Sequence, residues 1–211
     1  DLWALGKIYA YSIQEEPFIH ADSDVFIWAR FDERLEKAPL LCQSKEEGEA
    51  YNDMYSKLFY PIVQQFDYYP EALDRSIIRN NAIKAINAGI IGGCSISFYK
   101  EYTRQAFEFI DRNTTHLDKI NVPTFNLIFE QFLFRALSEE VKENVNYFHQ
   151  EDGIRALYFD YTGVPSKTRY IHLPGLLKKD KYLIDCLQYP LMTDYPDAYY
   201  RIISLMKKNE I

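Results

Sequence analysis

The chain has 211 residues and a net charge of −7 with no basic block, which argues against nucleic acid or an anionic membrane as a general partner. Apolar residues make up 47%, ample for the core of one large domain, yet no apolar run approaches the ~20 residues of a membrane span, so no integral membrane segment is expected. Cys42, Cys94 and Cys186 are far apart and form no Cys-x-x-Cys pair, which disfavours a disulfide framework or a structural zinc site and fits a reducing cytoplasm best.

In chain order, Asp1 to Ser12 reads as a helix with Leu2, Leu5, Ile8, Tyr9 and Ser12 on one face and Asp1 as its cap. The first residue is Asp1 rather than Met, so the helix reads as already under way and the chain as part of a longer protein. Glu15-Glu16-Pro17 breaks that helix. Phe18–Ala21 then reads as a short buried strand and Val25 to Phe31 as a second extended piece. Ala38 to Cys42 is a further candidate strand. Lys45 to Phe66 looks helical, with Pro61 as a kink or break. Ala82 to Ile91 is apolar and partly β-branched, which predicts a strand running into a tight turn at Gly92-Gly93. Ser97 to Arg112 and Thr124 to Lys142 have helical periodicity, the second rich in aromatics. Tyr170 to Leu173 reads as a short strand before Pro174-Gly175, and Lys178 to Leu187 and Asp197 to Lys208 as closing helices. Strands alternating with helices imply an α/β or mixed α+β domain.

One segment raises a physical question. In FIHADSDVFIW, residues 18 to 28, Asp22 and Asp24 stand one serine apart inside an apolar stretch. Two buried, unpaired carboxylates would cost several kcal/mol each, so something positive must meet them or they must lie in water at the strand's end. A hard divalent cation such as Mg²⁺ or Mn²⁺ takes oxygen ligands and keeps positions open for substrate phosphates. Further along, Asn87 in INAGIIGG offers a donor and an acceptor for sugar hydroxyls, while Gly89, Gly92 and Gly93 permit close ligand approach. His172 on its short strand is either an imidazole suited to Mn²⁺ or a hydrogen-bonded core histidine, and Lys178 and Lys179 either neutralise a diphosphate or open a solvated helix. Eighteen tyrosines suit a surface that grips sugars or bases.

Four segments, taken together and in this order, resemble the GT-A class of nucleotide-sugar-dependent glycosyltransferases, within it bacterial transferases of capsule or surface-glycan type. They are DLWALGKIYAY, a helix opening on Asp1; FIHADSDVFIW, which looks like the family's metal-binding Asp-x-Asp; INAGIIGGCSISFYKEYTRQ, similar to its donor-sugar segment; and YIHLPGLLKK, like its late metal-binding histidine. The resemblance implies an α/β fold, a GT-A-like mixed sheet flanked by helices. Residues 1–211 would then be a single but incomplete, C-terminal part of that domain, lacking the N-terminal nucleotide-binding portion. It implies transfer of a sugar from a nucleotide-diphosphate sugar to a glycan or other hydroxyl acceptor, in surface-polysaccharide synthesis, at the inner face of the membrane. The cofactor would be Mn²⁺ or Mg²⁺ on Asp22, Asp24 and His172. Donor sugar would meet Asp1, Asn87, Gly89, Gly92, Gly93 and Gln131, the diphosphate Lys178 and Lys179, and Glu130 would be the catalytic carboxylate. Two departures stand out: Ala4 replaces a basic residue of the first helix, for which Lys7 one turn on is a candidate substitute, and Glu15-Glu16-Pro17 replaces the usual Gly-Gly.

Two other readings compete. A phosphatase using Asp-x-Asp as nucleophile and acid wants Thr or Val where Phe26 stands, and its later Gly-Asp motif is missing. A non-catalytic glycan-binding domain with a tyrosine-rich groove needs no cation at Asp22 and Asp24.

Overall fold

The computed structural model of the chain describes residues 1–141, 143–149 and 169–210. The fold is mixed α/β, a mixed sheet flanked by helices. The elements begin with α1 (Leu5–Ser12), β1 (Phe18–Ala21), β2 (Val25–Ile27), α2 (Glu33–Glu36), β3 (Leu40–Glu46), α3 (Glu49–Val63) and α4 (Glu71–Asn80). They continue with β4 (Ala85–Gly93), α5 (Ile96–Asp111), α6 (Val122–Leu127), a π-helical turn (Ile128–Phe132), α7 (Leu133–Val141) and β5 (Val145–Tyr147). After β6 (Tyr170–His172) and a 3₁₀ turn (Gly175–Lys179) come α8 (Lys181–Asp194) and α9 (Pro196–Lys207). These elements form two compact units. The first holds Asp1–Asp22 and the described residues from 31 to 149; the second holds Ser23–Arg30 and those from 169 onward.

The first unit is built on a sheet in the order β1-β4-β3-β5. β4 is antiparallel to both neighbours, and β5 joins β3 in parallel. AINAGIIGG of β4 is apolar almost throughout because it is covered on both faces, as a central strand requires. Gly92 and Gly93 lie in this strand rather than in a tight turn after it. A Cβ on Gly92 would come 2.1 Å from the Phe18 carbonyl oxygen of β1. One on Gly93, whose φ is +140°, would come 2.2 Å from the Pro39 carbonyl oxygen. The glycines let two neighbouring backbones close in. The chain turns next, at Cys94 and Ser95, whose N–H groups donate to the carbonyls of Ala38 and Pro39.

Several boundaries move for identifiable reasons. β3 runs on to Glu46 and absorbs the expected start of the next helix, which begins only at Glu49. Pro61 falls within the last residues of α3 and does not stop it before Val63. α4 went unread because it is largely polar; it buries only Ala72, Leu73 and Ser76. α6, the π turn and α7 correspond to the expected helix from Thr124, whose last residue, Lys142, lies outside the described residues. Asp1 does not cap α1: the N–H of Ala4 donates to Asn126 Oδ1 at 2.9 Å. Tyr9, expected on the buried face, is exposed; Ile8 is buried as expected, and Tyr11 is buried with it.

Much of the aromatic content fills this core. Phe125 sits at the centre, its ring meeting Phe66, Phe109 and Phe129 edge-on at centroid distances of 5.1, 4.9 and 5.1 Å, the geometry aromatic quadrupoles favour. Tyr11, Tyr55, Tyr99 and Tyr102 are fully buried as well, so a share of the tyrosines expected to line a groove is structural.

The second unit is small. β2 pairs antiparallel with β6, Val25 opposite His172 and Ile27 opposite Tyr170. Ile171, Leu173 and Leu183 form its core, with Trp28, Leu177 and Leu187 packed against them. Asp180 caps α8 by accepting from the N–H of Leu183 at 3.1 Å, and Pro196 opens α9, its fixed φ suited to a first turn. No helix among the described residues is long and apolar enough to cross a membrane.

Candidate functional site

Asp22 follows β1 directly, its N–H donating to the carbonyl of Gly89 at 2.8 Å. Its carboxylate meets Lys7 of α1, with Nζ 2.9 Å from Oδ1 and 3.2 Å from Oδ2. His20, two residues earlier on the same strand face, places Nε2 3.4 Å from Asp22 Oδ1. Lys7 also reaches Glu130, at 2.5 Å from Oε1. Ala4, Ile8 and Tyr11 are buried around it, so the helix carries Lys7 inward on its apolar face.

Glu130 has no exposed surface, and its Oε2 has no hydrogen-bond partner among the described residues. It lies in the π turn, a geometry that recurs at functional positions because the extra residue disturbs the backbone ladder. The Tyr102 hydroxyl donates to the Glu130 carbonyl at 2.8 Å, holding that turn. Burial pushes the Glu130 carboxyl up to about 7, against the opposing pull of the Lys7 ammonium. For Lys7, burial favours the neutral amine, but Glu130 and Asp22 together outweigh it and hold the pKa above its ordinary value. A lysine that stays charged between two carboxylates is the consistent picture. Glu130, expected as the catalytic carboxylate, is buried and ion-paired with Lys7, which also meets Asp22.

A second polar cluster lies in the same unit. Glu46, at the end of β3, accepts from the Tyr55 hydroxyl at 2.5 Å and from Asn87 Nδ2 at 3.1 Å. Asn87 Oδ1 in turn accepts from the N–H of Gly89 at 3.0 Å. With its amide nitrogen turned toward them, Gln131 donates to Tyr55 Oη at 2.7 Å, Glu46 Oε2 at 3.2 Å and the Ile86 carbonyl at 3.1 Å. Burial raises the Glu46 pKa, and the hydrogen bonds from Tyr55 and Asn87 pull against that rise. Asn87 and Gln131, expected at a donor sugar, thus direct polar atoms to an internal carboxylate. Gly92 and Gly93 answer to Phe18 and Pro39, as above, and the Asp1 carbonyl accepts from Asn126 Nδ2 at 3.2 Å.

In the second unit, Asp24 precedes β2, and its carbonyl accepts from the Leu173 N–H at 3.0 Å, extending the β2–β6 ladder. That register sets His172 beside it, with Nε2 3.4 Å from Asp24 Oδ1 and the ring 5% exposed. Lys178, in the 3₁₀ turn, brings Nζ to 2.8 Å from Asp24 Oδ2. Lys179 is exposed.

The two aspartates therefore each meet an ammonium: Lys7 for Asp22, Lys178 for Asp24. The positive charge that the sequence reading asked for near these aspartates is thus supplied at least in part by the chain itself, through the two lysines. Lys7 could have been found from its place on an otherwise apolar helix face. Glu46 and Tyr55, bonded to each other across nine positions, gave no such signal, since their other partners Asn87 and Gln131 lie 41 and 76 positions away in sequence. No curated protein and no solved structure matches the chain. The profile of a family of unknown function, DUF6734, matches residues 1–205, and the chain belongs to that family.

Proposed function

We propose that the chain is the catalytic part of a divalent-cation-dependent glycosyltransferase that moves a sugar from a nucleotide-diphosphate sugar to a hydroxyl acceptor, such as a glycan of surface-polysaccharide synthesis. The observation that carries this reading is the Asp24–His172 pair. Two ligand atoms sharing an octahedral cation at about 2.1 Å stand about 3 Å apart, and the 3.4 Å between the imidazole and the carboxylate is close to that. Asp22 stands two positions from Asp24, so the chain itself keeps their Cα atoms within about 7 Å. Two carboxylates and an imidazole form a donor set that fits Mn²⁺, or Mg²⁺ with a weaker claim on the histidine.

In this reading Asp22, Asp24 and His172 hold the cation. Bound there, it would supply Lewis-acid neutralisation of the departing diphosphate. Lys178 and Lys179 add positive charge for the same anion. Lys7, fixed by Glu130, orients Asp22 and moderates its charge. Isothermal titration of Mn²⁺, followed by a hydrolysis screen over nucleotide-diphosphate sugars with and without Mn²⁺, tests the proposal. Micromolar binding and Mn²⁺-dependent sugar release are expected; absence of both rejects it.

The paired lysines favour one second reading. A site whose carboxylates are already neutralised needs no metal, and a glycan could be gripped there without chemistry. Glycan binding unaffected by a chelator, with no Mn²⁺ binding, would select it.

A further inference from the structure

The second unit carries a groove of about 690 Å³, within the range of small-molecule sites. β2 and the residue after it contribute Phe26, Ile27 and Trp28; α8 contributes Leu187 and Leu191. Phe26 and Ile27 are 41% and 49% exposed, more apolar surface than a three-residue strand needs to show. Asp24 and Lys178 line the same groove.

We infer that this groove binds an uncharged amphiphile, an alkyl or aryl glycoside whose sugar hydroxyls meet Asp24 and Lys178 and whose apolar portion lies on Ile27, Trp28 and Leu191. The polar part of the lining selects the headgroup. Asp24 and Lys178 are paired at 2.8 Å, so together they present an acceptor beside a donor with no net charge. A hydroxyl is both donor and acceptor and answers both. With no cation on Asp24, a phosphate headgroup would face its carboxylate, and an ammonium would face Lys178; each meets like charge. Trp28 and Phe26 offer flat apolar faces for the C–H side of a sugar ring or the start of a chain. Only in naming this amphiphile the sugar acceptor does the inference rest on the transfer reading.

The probe is octyl glucoside below its micelle-forming concentration, with no metal or nucleotide sugar present. Trp3 and Trp28 are the two tryptophans, so a Trp3→Phe background leaves Trp28 as the reporter. A saturable blue shift of Trp28 emission is expected, with octyl phosphate, octylammonium and glucose each binding at least tenfold more weakly. Ile27→Asp, at a half-exposed position, should abolish the shift at an unchanged melting temperature. If that variant fails to fold, quenching of Trp28 by a chain-brominated octyl glucoside in the unmutated groove gives the same information. No saturable response, a charged analogue binding as tightly as the glucoside, or a response that survives Ile27→Asp overturns the inference. Because the probe works without cation or donor, a protein that fails to bind Mn²⁺ but takes the glucoside would sink the transfer reading alone.

Discussion

Lys7 Nζ stands 2.5 Å from Glu130 Oε1, where the carboxylate has no exposed surface and the ammonium very little. The same ammonium serves Asp22, so one lysine answers two acidic groups with opposite needs: Glu130 buried, Asp22 a quarter exposed. Breaking such a group by removing its cation leaves a charge buried and uncompensated. Lys7→Met should therefore destabilise the fold by about 3–5 kcal/mol at pH 8, read from urea unfolding. At pH 5, with Glu130 protonated, the loss should be smaller. Equal losses at both pH values would show that Lys7 acts through packing rather than charge.

Glu130 itself gives a pH prediction with a definite sign. Its folded pKa of about 7 is raised above the ordinary value of about 4.3, so folding takes up a proton between the two. The stabilisation is fully present below pH 4.3 and is lost as pH rises through 7. Between pH 5 and 8 this one group should cost up to about 3 kcal/mol of stability. Glu130→Gln removes the titration, so its unfolding free energy should fall less over that range than the wild type's. Parallel pH curves for the two proteins would refute the assignment.

What the sequence made legible follows from the range of the interactions involved. β1, β6 and α5 were readable because period and composition act locally, and their observed bounds differ from the reading by a residue or so. Asp22, Asp24 and His172 were legible as a candidate set from residue type and order. Their lysine partners were not, because a salt bridge depends on which face a helix or turn presents after packing. Gly92 and Gly93 carry a signal with two readings. Their spacing suggests a ligand loop, but the close neighbours that require glycine are the backbones of β1 and the segment before β3. Nothing local in the sequence distinguishes a backbone that makes way for a ligand from one that makes way for another strand.

That distinction can be measured at Gly92. A methyl group would be placed 2.1 Å from the Phe18 carbonyl oxygen, with backbone on that side unable to rotate away. Gly92→Ala should cost about 3 kcal/mol or more, at the upper end of what overpacking usually causes. A melting temperature within a degree or two of wild type would show that β1 can move aside. Reduced ligand binding in a destabilised variant would say nothing of a donor site here.

The lysines make one last outcome testable without knowing the substrate. Lys178 is 55% exposed and bonded to Asp24 Oδ2 at 2.8 Å, so its removal should barely change stability, as for most exposed ion pairs. Its effect on metal should be larger and of known sign. A divalent cation sharing Asp24 must displace or tolerate this ammonium, and the exposed pair it replaces is worth about 0.2–1 kcal/mol. Lys178→Met should thus tighten Mn²⁺ binding by up to about fivefold, while Asp24→Asn and His172→Ala should weaken it by tenfold or more. Calorimetric titration of the three variants against wild type separates the two answers to the charge problem posed by Asp22 and Asp24. If Lys178→Met binds Mn²⁺ no better, and Asp24→Asn no worse, the lysines are the permanent partners of the aspartates and the metal assignment fails.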